Sequence, residues 1–135
     1  MSAAPPSDAG DGDRRATGRA AEAAAEAWLV SQGFEVLARN HATRRGEVDL
    51  ICREGEVICF VEVRSRTGEA QGSPLETISP AKARKVVAAA TDWAWQHGRL
   101  DAALRFDVVA VVLGEGEPRF ELVRDAFDSH GQPVP

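Results

Sequence analysis

Residues 44–66 read RRGEVDLICREGEVICFVEVRSR, two apolar runs that carry Glu47, Asp49, Glu62 and Arg64 where core strands would carry no charge. The runs are rich in Val, Ile and Phe and are separated by Glu54 and Gly55, which reads as a tight antiparallel hairpin. With Glu54 and Gly55 as the turn, Arg53 faces Glu56 and Asp49 faces Phe60. Period-two alternation then sorts the side chains. Val48, Leu50, Cys52, Val57, Cys59, Val61 and Val63 form one wholly apolar face. Glu47, Asp49, Glu62 and Arg64 share the other with Ile51, Ile58 and Phe60, and Glu62 is the diagonal neighbour of Asp49 at about 7 Å between backbones.

Two ionised carboxylates that close repel unless a cation lies between them. Mg²⁺, or Mn²⁺ in its place, suits the pair, because it takes hard oxygen ligands, keeps waters and is commonly held by one or two carboxylates plus a phosphate. A solvated ion pair between Glu62 and Arg64 is the plainer explanation of the charges. It does not explain three large apolar groups on the same face.

Working outward, GRAAEAAAEAWLVSQ from Gly18 to Gln32 is a helix former, with Trp28 and Leu29 on the face of Ala21 and Ala25 and Gly33 as its stop. FEVLARN follows as a first strand. RTGEAQGSP is expected as a flexible loop. A second helix starts with Ser79 as N-cap and Pro80 at its first position, and runs to Gly98. LRFDVVAVVL is a buried strand and RFELVRD an edge strand. The order is helix, three strands, helix, two strands, an α/β domain with a mixed central β-sheet flanked by helices.

A chain of 135 residues fits one domain. Residues 1–17 are poor in apolar groups and are expected as a disordered leader, 18–127 as the domain, and 128–135 as a flexible tail. No apolar run has membrane-spanning length and no signal-peptide core is visible, so a cytoplasmic protein without membrane contact is expected. The net charge of −5 argues against a strongly basic nucleic-acid binder. However, 8 of the 21 acids lie outside residues 14–113, and that span holds 13 acids against 14 Lys and Arg. Cys52 and Cys59 read as reduced core thiols, since two cysteines do not make a four-ligand zinc site.

An acidic residue on one strand followed by Glu-x-Lys on the next is similar to the PD-(D/E)XK nuclease core of restriction enzymes and Holliday-junction resolvases. RRGEVDLI, FVEVRSR and RFDVVAV, with a glutamate in the first helix, more closely resemble the bacterial YraN-like family of that superfamily. The resemblance covers Gly18 to Asp125. It implies a restriction endonuclease-like core. Asp49 would be the central metal ligand, Glu62 the second and the carbonyl of Val63 a third, with Glu22 leaning over the cation. Arg64 stands where the superfamily carries its catalytic lysine. Arginine keeps the positive charge and grips phosphate, but it cannot give up its proton.

The implied activity is Mg²⁺- or Mn²⁺-dependent phosphodiester hydrolysis on structured or branched DNA. Two other classes are open: a catalytically weak nucleic-acid-binding module of the same fold, and a protein-interaction adaptor. Arg44 and Arg45 before the acidic strand, and Lys82, Arg84 and Lys85 at the start of the second helix, are candidate phosphate contacts. Assembly as a homodimer is left open. Trp93 shares a helical face with Val86, Ala89 and Ala90 and reads as core, whereas Trp95 points the opposite way and is free to stack a base or pack a partner. Asp107 interrupts a buried strand and reads as a structural partner of Arg105. His41, His97 and His130 lack ligand spacing.

Overall fold

A computed structural model describes residues 6–67 and 78–135, the side chains of residues 6–17 and of Thr67 excepted. Its elements are α1 (Pro6–Ser31), β1 (Glu35–Ala42), β2 (Glu47–Glu54), β3 (Val57–Thr67), α2 (Pro80–Gln96), β4 (Leu104–Leu113) and β5 (Arg119–Phe127). The sheet order is β1-β2-β3-β4-β5. Every neighbouring pair is antiparallel except β3 and β4, which run parallel and are joined through α2. This is the mixed α/β arrangement expected from the sequence, with the same order of elements. Most of the segment expected as a flexible loop lies outside the described residues.

Each helix covers one face of the sheet. Ala21, Ala25 and Leu29, four apart along α1, are buried against Leu50, Cys52, Cys59, Val61, Val109 and Val111. Trp28 lies beside that stripe and stacks on Phe120 of β5, with centroids 5.1 Å apart. On the opposite face, Val86, Ala89, Ala90 and Trp93 of α2 pack on Ile51, Ile58, Phe60 and Phe106. Ser79 caps α2 by accepting from the backbone N–H of Lys82 at 3.1 Å, and Pro80 follows it. The two cysteines face each other across β2 and β3 as buried free thiols, and burial pushes each thiol up to about 12.

Several expectations are corrected. The hairpin turn is Gly55–Glu56, because Glu54 pairs with Val57 and Arg53 with Ile58. Gly55 takes φ 61°, the positive value a tight hairpin wants at its first turn position. Phe60 therefore faces Ile51 instead of Asp49. The slip is two residues, so side chains keep their faces. The one exception is Val48, which joins Ile51 in the cluster under α2 instead of Leu50 under α1, so alternation fails around Asp49. α1 begins at Pro6, not Gly18. Proline suits a first helical position. Residues 1–5 lie outside the described ones.

The C-terminal segment returns to the sheet instead of trailing away. Asp128 accepts from the N–H groups of His130 and Gln132 at 2.9 and 3.0 Å, the chain reverses, and Val134 donates to Ala126 at 3.1 Å. Gly131 at φ 77° lies against Pro80 and Arg84, where any side chain would collide.

Asp107 is structural, as expected. It is fully buried and accepts two N–H groups of Arg105, each at 2.9 Å, and the backbone N–H of Asp125 at 2.9 Å. Arg105 also donates to Glu54 at 2.6 Å, and Arg124 holds Glu54 through two hydrogen bonds at 3.0 and 2.8 Å. The two guanidinium groups hold the Glu54 carboxyl down at about 2.

Candidate functional site

Toward the open end of the hairpin the β2–β3 ladder runs as far as Leu50–Val61, and Asp49 and Glu62 are the next residues on each strand. There Asp49 turns into the ladder: its Oδ2 accepts from the backbone N–H of Val63 at 2.8 Å. A carboxylate thus occupies a place that a main-chain carbonyl would fill in a continuing ladder. Asp49 is 9 % exposed and Glu62 2 %. Burial, then repulsion from Glu62, hold the Asp49 carboxyl far above its ordinary value, to about 8, and its protonated form gains further from a hydrogen bond to Glu62. The Val63 N–H and the charge of Lys82 pull the other way without prevailing.

Glu62 meets two cations. Lys82 Nζ from α2 is 3.5 Å from Glu62 Oε2, and Arg64 Nη1 is 3.7 Å from the same oxygen. The other oxygen, Oε1, is buried and has no hydrogen-bond partner among the described residues. An unsatisfied buried carboxylate oxygen costs on the order of 1–3 kcal/mol, and more when charged. Lys82 was expected only as a backbone contact. Its presence beside Glu62 depends on how α2 crosses the sheet, which no local pattern encodes.

Glu22 approaches from α1. Asn40, held at φ 49° in β1, donates to its Oε1 at 2.7 Å. Burial raises the Glu22 carboxyl despite that bond, and repulsion from Asp49 and Glu47 adds to the rise. A cleft of about 290 Å³ opens here, lined by Arg19, Glu22, Asn40 and Leu50 among others. The structure therefore brings together Glu22, Asp49, Glu62, Val63 and Arg64, and adds Lys82 and Asn40. Asn40 had no signal in the sequence beyond its tolerance of positive φ.

The other expected phosphate contacts separate. Arg44 and Arg45 are exposed in the β1–β2 turn, and Lys85 is exposed on α2 beside that turn. Gly46 lies so close to α2 that an added Cβ would stand 2.1 Å from the Lys85 carbonyl oxygen. Arg84 instead lies under Gly131 of the returning C-terminal segment.

Uncharacterised protein family UPF0102 matches residues 21–111. The chain belongs to this family. UPF0102 is the YraN-like group and lies within the restriction endonuclease-like superfamily. A UPF0102 protein of Anaeromyxobacter dehalogenans is 65 % identical over 92 % of this chain and 93 % of its own length. A relative from Desulforapulum autotrophicum is 40 % identical over 88 % of the chain and 98 % of its own, and one from Rhodococcus jostii 43 % over 83 % and 96 %. The UPF0102 match spans every residue of the constellation, from Glu22 to Lys82.

Whether these residues suit a cation turns on the donor set. Among the described residues no group of three or more His, Cys, Asp and Glu side chains is placed to hold a metal. Two hard carboxylates, one with a buried unpartnered oxygen, fit Mg²⁺ or Mn²⁺, which complete their shells with water and phosphate. They do not fit a cation needing a cage of side chains. No helix among the described residues is long and apolar enough to cross a membrane.

Proposed function

We propose that this protein is a divalent-metal-dependent endonuclease acting on structured or branched DNA. The observation that carries the reading is the buried Asp49–Glu62 pair at the end of the β2–β3 ladder, with Glu62 Oε1 unpartnered and Lys82 and Arg64 at its rim. Asp49 and Glu62, with the Val63 carbonyl, would hold Mg²⁺ or Mn²⁺. When bound, the cation supplies Lewis-acid activation of water and of the phosphodiester.

The chain's own residues do the rest. The Val63 N–H fixes the Asp49 carboxylate. Arg64 and Lys82 draw the scissile phosphate against the pair and stabilise the charge that builds on its oxygens. Glu22, steadied by Asn40, orients the attacking water from the α1 side. Water attacks phosphorus in line with the leaving oxygen; one P–O bond forms and the opposite one breaks, the attacking water gives up a proton to solvent and the leaving oxygen takes one up.

A second reading has its own support. With Lys82 and Arg64 both near Glu62, the cluster approaches charge balance without a cation, as a nucleic-acid-binding module of this fold would. Incubating wild type and Asp49→Ala with duplex, flapped and four-way DNA, with and without Mg²⁺, separates the two. The nuclease cuts at least one substrate only with metal and only with Asp49 present. The binding module cuts none, yet binds with an affinity that falls as salt rises.

A further inference from the structure

On the outer side of α2 lies a groove of about 730 Å³, lined by Thr43, Arg44, Arg45, Ala88, Trp95 and Leu100 among others. Trp95 is 69 % exposed and Leu100 52 %. An indole left in water beside a leucine is a costly surface unless it has an occupant.

Two arginines face this apolar floor. Arg44 and Arg45 are exposed, and neither has an acidic partner among the described residues. Their turn is rigid: Thr43 Oγ1 accepts from the Arg45 and Gly46 N–H groups at 3.0 and 3.2 Å, and Gly46 abuts Lys85. Asp92, the one acid lining the groove among the described residues, is already engaged by His41 at 2.9 Å and by Gln96 at 2.8 Å. The same turn leads directly into β2, where Arg45 precedes Asp49 by four residues, about 13 Å of extended chain.

We propose that the groove binds an unpaired nucleotide segment, one base stacking on Trp95 beside Leu100 and the adjoining phosphates held by Arg44 and Arg45. A flat aromatic surface flanked by guanidinium groups is the chemistry that holds single strands without reading sequence. Two large apolar side chains are too few for a stable protein interface of about 20–30 residues a side. The inference rests on the phosphodiester reading of the carboxylate pair and deepens it: the substrate is nucleic acid with an unpaired stretch next to the cut.

The test is binding of short fluorescent oligothymidylate and oligouridylate in EDTA at low salt, so that no turnover is needed. Trp95→Ala should weaken binding roughly tenfold or more, Trp95→Phe should largely restore it, and Arg44→Ala with Arg45→Ala should flatten the salt dependence. The EDTA already keeps this result independent of catalysis, because no divalent cation is present. Equal binding to both oligomers supports a site for unpaired strands generally, and preference for one names the strand. Unchanged binding by a folded Trp95→Ala overturns the proposal, even if the wild type cuts DNA. So does a wild-type dimer that Trp95→Ala converts to monomer without loss of oligonucleotide binding, because the groove is then a self-interface.

Discussion

Replacing Asp49 by Asn should stabilise the metal-free protein, and the gain should grow with pH. In the folded state burial and Glu62 raise this carboxyl from about 4 toward about 8. A raised carboxyl means that the folded state binds more protons than the unfolded state between those values, so stability falls as pH rises through that window. Each pH unit above the unfolded value of about 3.9 costs up to about 1.4 kcal/mol, which sets a ceiling of about 4 kcal/mol at pH 7. Relaxation and water entry beside the cleft bring the expected penalty to about 2 kcal/mol. For a chain of this length that is roughly 6–10 °C in Tm. Asn keeps the geometry, since its Oδ1 still accepts from the Val63 N–H and its amide donates to Glu62. The assay is thermal unfolding of both proteins in EDTA from pH 4 to pH 8. Taking the difference cancels carboxyls whose shifts do not involve Asp49, such as Glu26 and Glu54. Equal melting curves at pH 8, or a difference that does not change with pH, would refute the buried ionisable pair.

Lys82→Ala should lower metal-dependent cleavage tenfold or more while costing about 1 kcal/mol of stability or less; undiminished cleavage would remove Lys82 from the site. Arg64→Lys should preserve or raise cleavage and Arg64→Ala abolish it, so an Arg64→Ala enzyme that cuts normally contradicts the assigned role. Asp107→Ala removes the buried carboxylate that accepts from Arg105 and from the Asp125 N–H, and should cost about 3–5 kcal/mol in a urea titration; a loss under about 1 kcal/mol would mean that water replaces the carboxylate. Gly46→Ala would push the β1–β2 turn off Lys85, and should cost about 1–3 kcal/mol and weaken oligonucleotide binding together.

The sheet was legible because its strands are either alternating or wholly apolar, and Ser79–Pro80 and Gly33 punctuate the helices. The closeness of Asp49 and Glu62 was legible as a diagonal relation, but their place on adjoining ends of the ladder follows from the two-residue slip at Gly55. The interruption around Asp49 was not, since it arises where β2 leaves its ladder with β3 and is set by the fold around it. Nor were Lys82 beside Glu62, Gly46 against Lys85 and Asn40 beneath Glu22. Each joins residues far apart in the chain, and each depends on how a helix is set against the sheet. The return of residues 128–135 depends on Asp128 engaging two backbone N–H groups, a local signal that polar composition obscured.

The proposed divalent-cation site at Asp49 and Glu62 can be measured directly. Titrating wild type, Asp49→Asn and Glu62→Gln with Mn²⁺, and following the free ion by its electron paramagnetic resonance signal, measures this without substrate or turnover. One saturable Mn²⁺ per wild-type chain, displaced by excess Mg²⁺ and lost in both variants, is the predicted result. No saturable binding by wild type, or equal binding by Asp49→Asn, would contradict it.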